Sequence, residues 1–207
     1  METIEIFKQR QAQTINVLNR LLVFLRDAEQ FGIIIDQKFM NKVENAINQK
    51  EEEKLKIALV GGFSEGKTSI VAAWAEKYDK EKMKISQAES SDEVAIFNFD
   101  DFELIDTPGL FGFKETSNKE KYMDITKKYI SEANLVLYVM NPNNPIKESH
   151  KDELIWLFKD LNLLSRTVFV LSRFDEEVDI EDDSEYEEGL RVKTDNIRVR
   201  LIDFGII

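Results

Sequence analysis

Apolar positions in the first 53 residues recur at intervals of three and four, whereas from residue 55 onward they gather into short unbroken runs. In the first stretch Ile4, Phe7, Leu18, Leu21, Leu25 and Ala28 fall within a broken heptad pattern. That spacing predicts one amphipathic helix, which Gly32 ends. Asp36 can cap a second helix with the stripe Phe39, Met40, Val43, Ala46 and Ile47, before "NQKEEEK" turns polar. Helices over 4–30 and 38–50 together read as a hairpin.

The later runs, "LKIALV", "VAIFNF", "FELID", "LVLYVM" and "TVFVL", alternate with helical patterns that begin near Lys67, Asn118, Lys147 and Ser184. Such alternation predicts an α/β fold. A run as continuously apolar as "LVLYVM" has no polar face to turn to water, so the central sheet should be covered on both sides and mostly parallel. Only "VAIFNF" and "FELID" are joined tightly enough, through Asp100 and Asp101, to pair antiparallel. Trp74 and Trp156, at helical spacing among apolar neighbours, are expected in the core, and His150 in an exposed or capping role.

Composition narrows the chemistry. With 207 residues, 43% of them hydrophobic, the chain can bury one substantial core plus an appendage. No apolar run approaches the roughly 18 residues of a membrane-spanning helix, which makes the cytoplasm the default expectation. Zero cysteines and one histidine exclude thiolate metal sites and leave little for zinc, so any metal should be a hard, oxygen-bound ion. A formal charge of -12 argues against nucleic acid or an anionic membrane as a direct partner of this segment. Nine of the acids lie in residues 176–188, "EEVDIEDDSEYEE", with no base among them, and a solvated loop is expected there.

Between the first strand and its helix, Gly61, four residues, then Gly66, Lys67 and Thr68 form a phosphate-loop pattern in the required strand–turn–helix context. Glycines let the backbone fold around a phosphate with successive N–H groups pointing inward. The binding stretch is therefore Gly61, Gly62, Phe63, Ser64, Glu65, Gly66, Lys67, Thr68 and Ser69. Lys67 would reach the β- and γ-phosphates, and Thr68 would offer its hydroxyl to Mg²⁺. In "LIDTPGLFG", Asp106 ends a strand where a carboxylate can hold Mg²⁺ through water, and Gly109 can turn its N–H toward a γ-phosphate. In "VLSRFDE", Asp175 can accept from the two adjacent donors of guanine, a pair that adenine lacks. Ser172 supplies a short polar side chain beside it, and the planar head or stem of Arg173 can stack on the base.

With these stretches, and with "ESSDE" and "LVLYVMNPNNPIKESH", the sequence resembles the GTPase superfamily, and within it the bacterial dynamin-like GTPases of the LeoA type. The resemblance implies a three-layer phosphate-loop GTPase domain over 54–207, after a neck- or stalk-like helical segment over 1–53. It also implies GTP hydrolysis that couples self-association, as a homodimer across the nucleotide face, to membrane remodelling. By the same resemblance the domain would lack its last strand and helix, and membrane contact, peripheral in the full-length protein, would come only through regions outside this chain.

The likeness also directs attention to the catalytic apparatus. Signalling GTPases place a water-orienting glutamine where this chain has Leu110. In dynamin relatives a Gln–Ser pair of the phosphate loop helps instead, and the aligned residues are Phe63 and Ser64. Ser64 keeps the hydroxyl that could contact the β–γ bridge region or a K⁺ ion, while Phe63 removes an amide. The first switch normally brings a threonine to Mg²⁺ and the γ-phosphate; no threonine lies between Thr68 and Thr107, and Ser90, with Ser91 behind it, is the expected substitute. Expected catalytic residues are thus Ser64, Lys67 and Ser90, and expected Mg²⁺ ligands Thr68, Asp106 and Ser90. Two other readings stay open: a soluble regulatory GTPase switch, and a nucleotide-binding interaction module with little turnover.

Overall fold

The structure is a computed structural model that describes residues 2–62, 64–77, 84–86, 94–107, 109 and 127–207. The chain divides into two compact units, Met1–Leu55 and Lys56–Ile207.

The first unit is a helical hairpin. Helix α1 (Glu2–Gln30) ends at Gly32, whose φ of 83° is a left-handed conformation that glycine adopts without penalty, and Ile33 N donates back to Ala28 O. Helix α2 (Gln37–Glu51) is capped by Asp36, whose carboxylate accepts from Lys38 N at 2.8 Å. Leu22, Leu25, Met40, Val43 and Ile47 are buried between the helices, with Ile15, Leu18 and Ile35 partly covered. The seam on α1 thus runs through Leu18, Leu22 and Leu25 at i, i+4 and i+7, and the expected Leu21 lies off it at the edge of exposure. Phe39, expected in the stripe of α2, is exposed, because Met40 occupies the facing position. Further exposed apolar side chains, among them Val17, Phe24, Phe31 and Ile34, lie away from this seam.

The second unit is built on a six-stranded sheet in the order β2-β3-β4-β1-β5-β6. Its strands are β1 (Leu55–Gly61), β2 (Lys84–Ser86), β3 (Ala95–Asn98), β4 (Phe102–Asp106), β5 (Leu135–Met140) and β6 (Thr167–Leu171). β5 pairs parallel with both β1 and β6. β3 pairs antiparallel with β4 across the Asp100–Asp101 turn, where Phe99 N donates to Phe102 O. The antiparallel β2 was not expected: three residues, Lys84, Ile85 and Ser86, are too few to show a period. Ala58, Leu59 and Val60 have no exposed surface, and β5 is buried from Val136 to Met140, as strands covered on both faces require.

Helix α3 (Lys67–Lys77) follows β1, residues 127–132 form α4 ahead of β5, and α5 (Lys151–Ile155) continues as a π-helical turn over Trp156–Asp160. Tyr138, Phe158 and Phe169 meet edge to face at 5.6–5.9 Å and tie the turn to β5 and β6. Trp74 and Trp156 are half-buried; Trp74 meets Phe102 edge-on. His150 stands at the N-cap position of α5, without a capping bond from its side chain, and is buried rather than exposed. Burial lowers its pKa and the nearby Lys147 lowers it further, while Glu153 opposes both. The helix expected near Asn118 lies outside the described residues. Helix α6 (Asp183–Asp203) takes in the second half of the acidic run. Asp182 caps it through Ser184 N and Glu185 N, so carboxylates gather at the positive end of the helix and only 176–182 remain as connection.

Candidate functional site

The apolar strand β1 runs into its glycines beside β5. Gly61 pairs with Val139, and a Cβ at Gly61 would sit 2.2 Å from Val139 O. Since backbone on both sides fixes that approach, Gly61→Ala should lower unfolding stability by on the order of 3 kcal/mol, read as a lower urea midpoint with unchanged m. Gly66, at φ 89°, lets the turn pass close to Ser172, whose Cβ would be 3.2 Å from an added methyl. Ser64 is left-handed at φ 61° without being glycine, a conformation that costs energy and is held by its surroundings.

Lys67 opens α3 and is 7% exposed. Its ammonium folds back over the turn, donating to Gly61 O at 3.1 Å and Gly62 O at 2.6 Å. Burial lowers its pKa, and the carboxylates of Asp106 and Glu65 partly restore it. The next residue, Thr68, donates from Oγ1 to Asp106 Oδ2 at 2.8 Å, which brings the first turn of α3 to the end of β4. Asp106 Oδ1 is buried and has no hydrogen-bond partner among the described residues. Burial raises its pKa, against the pull of the Thr68 hydroxyl and the Lys67 charge. A hydroxyl and an orphaned carboxylate oxygen side by side are hard donors suited to Mg²⁺. No group of three or more His, Asp or Glu among the described residues could hold a metal alone, so a cation here would draw further ligands from water or phosphate.

The end of β6 closes on the same turn. Ser172 N donates to Met140 O, and Ser172 Oγ donates to Glu65 O at 2.7 Å. Arg173, left-handed at φ 51°, donates from Nη2 to Ser64 O at 3.2 Å. Asp175 is exposed two residues further along. Gly61, Gly62, Ser64, Glu65, Gly66, Lys67, Thr68, Asp106, Ser172 and Arg173 are therefore linked by direct bonds or close approach, and Ser69 lies exposed on the first turn of α3. Gly109 lies three residues beyond the end of β4, whereas Phe63, Ser90, Ser91 and Leu110 lie outside the described residues.

Two features were not read from the sequence. Thr107 is buried and bonds twice to Leu59 O, from N at 3.3 Å and Oγ1 at 2.7 Å, fastening the "DTPG" stretch to β1. A cleft beside the turn joins Ser64 and Glu65 to Asn141, Asn143 and Lys147; the polar "NPNN" directly after a buried strand was the available signal. Glu65 Oε2 is buried without a partner among the described residues.

A glycine turn over a helix N-terminus, a lysine folded over it and a hydroxyl–carboxylate pair at the adjoining strand end define a phosphate-loop protein with the GTPase fold. The dynamin family model matches residues 71–174, half of the chain. The chain belongs to the dynamin family. It is similar to the LeoA bacterial dynamin GTPase from ETEC, with 38% identity, TM-score 0.74 and 97% of this chain covered. It spans 35% of that relative's length. Weaker fold likenesses include Toc33 from Arabidopsis thaliana, a dimerization-deficient mutant (17% identity, TM-score 0.49, 73% of this chain and 63% of that one), and Era from Aquifex aeolicus (18%, 0.47, 72% and 48%). No curated protein matches the sequence significantly. No helix among the described residues is long and apolar enough to cross a membrane.

Proposed function

We propose that this chain binds GTP with Mg²⁺ and hydrolyses it to GDP and phosphate. The observation that carries the reading is the juxtaposition of buried Lys67 with the Thr68–Asp106 pair, whose second carboxylate oxygen is unsatisfied. Lys67 and the backbone amides of the phosphate turn bind the triphosphate, with Ser64 toward the β–γ bridge and Gly109 toward the γ-phosphate. Thr68 and Asp106 hold the metal, with Ser90 as the third protein ligand. Bound Mg²⁺ neutralises charge on the phosphate oxygens during transfer. Asp175 reads guanine, Arg173 packs on the base, and Ser172 supports the turn.

Residues 54–207 then serve as the GTPase domain and 1–53 as its neck segment. GTP-dependent homodimerisation across the nucleotide face couples hydrolysis to membrane remodelling. The test is phosphate release from GTP and ATP by the full-length protein, with and without Mg²⁺, in K⁺ and in Na⁺ buffer, alongside light scattering with a transition-state analogue. GTP-selective, Mg²⁺-dependent release with doubled mass is expected. Tight GTP binding with no release would replace the enzyme by an interaction module, and release from an unchanging monomer would leave a regulatory switch. A rate insensitive to K⁺ would remove that ion from the scheme.

A further inference from the structure

The segment that follows β6 lies against α6 through four separate contacts. The Phe174 ring meets Tyr186 edge to face, centroids 5.7 Å apart at 76°. Lys193 pairs with Glu177 at 3.1 Å, both side chains being about four-fifths covered (19% and 21% exposed). Asp179 N donates to Glu185 Oε1 at 3.1 Å. The fourth contact is with bare backbone: a Cβ at Gly189 would lie 2.5 Å from Val178 Cγ1 and 3.4 Å from Phe174 Cζ.

Gly189 sits within a helix of 21 residues, where glycine costs about 1 kcal/mol relative to alanine. No turn or cap is needed there, so what the missing side chain supplies is room for Val178. A β-branched valine has few rotamers with which to evade an added methyl, and any shift would pass to Phe174. Arg173 and Asp175 flank Phe174 directly. Arg173 is left-handed and is held at its own end by its bond to Ser64 O, so a displacement of Phe174 falls on Asp175 rather than on the phosphate turn. Charge alone does little to explain the closeness, because the carboxylates of the acidic run repel one another. Of the cations that face them, Arg173 (to Glu176, 4.0 Å) and Arg191 (to Glu188, 3.7 Å) form exposed local pairs, which leaves Lys193 on Glu177 as the covered one between the segment and α6.

We propose that the seating of Phe174 and Val178 on Tyr186 and Gly189 is a specificity device. It holds Asp175 and Arg173 at the spacing that distinguishes guanine from adenine, making Gly189 and Tyr186 positioning residues for base selection. The inference rests on the GTP reading and adds to it residues that touch neither phosphate nor metal.

Calorimetric titration of the full chain with GTP and with ATP tests it, with the melting temperature followed in parallel. Gly189→Ala should weaken GTP about tenfold, equivalent to about 1.4 kcal/mol, while ATP affinity, carried by the phosphate turn, stays within about twofold. Adding Val178→Ala should restore the GTP:ATP ratio to within about threefold of wild type, because the second truncation reopens the space. Tyr186→Ala, at a partly exposed ring, should lower the same ratio and keeps the question answerable if Gly189→Ala does not fold. An unchanged ratio in these variants, or equal losses for GTP and ATP, would overturn the clamp while leaving the base assignment standing. A wild type that binds ATP as tightly as GTP would remove both.

Discussion

Lys67→Ala loses triphosphate binding altogether on the calorimetric scale, a weakening on the order of a thousandfold or more. The ammonium is buried over the turn, where little water screens it, and its hydrogen-bonded charge on a phosphate is the kind of contact whose truncation costs roughly 2–5 kcal/mol or more. The ligand-free protein should scarcely notice. Its lysine is partly desolvated, as the lowered pKa reflects, and removing a buried charge relieves a solvation penalty that offsets the two lost carbonyl bonds. The measurement is the melting temperature with and without GTP. Wild type should gain stability in proportion to the logarithm of nucleotide concentration, and the variant should melt at one temperature throughout. A variant that still shifts with GTP would mean that the phosphates lie elsewhere.

Asp175→Asn should turn the preference from GTP to XTP by about two orders of magnitude or more. A carboxylate accepts from both the ring N–H and the exocyclic amine of guanine; an asparagine presents one acceptor and one donor, matching xanthine, which carries a carbonyl where guanine has its amine. A site built to satisfy a donor leaves its own groups unpaired with the wrong base, which is why such exchanges reach factors of about 10⁴. Competition of GTP, XTP and ATP against one fluorescent nucleotide gives the ranking directly. Equal loss for all three bases would show that Asp175 supports the loop rather than reading the base.

In the central sheet "LVLYVM" was legible because it is continuously apolar, and the "VAIFNF"–"FELID" pair because only Asp100 and Asp101 separate its two runs, although the other connections of the sheet are long. The hairpin was legible as a hairpin, yet its seam was misread by one position at Leu21 and Leu22. In α1 apolar residues occupy more than one face, and only the partner helix decides which face is covered. The burial of His150 was missed because a lone polar residue in a polar stretch gives no sign of it; burial depends on the elements packed over the residue. At the site, the glycine–lysine–threonine pattern announced itself by spacing. Thr107 did not, because its bond to Leu59 O spans 48 positions of sequence. Gly189 was equally silent: a glycine within a helix looks like a weak helix position until the neighbouring loop is seen to rest on it.

The double tether of Lys67 to the carbonyls of Gly61 and Gly62 carries a consequence for kinetics. A cradle whose cation is already anchored by protein atoms does not have to assemble around each arriving nucleotide, so capture should be quick and largely indifferent to how many phosphates arrive. On the proposed GTP reading, telling a spent nucleotide from a fresh one would then fall to Asp106 at the end of β4 and to Gly109 beyond it, which would make release, rather than capture, the step at which turnover is timed.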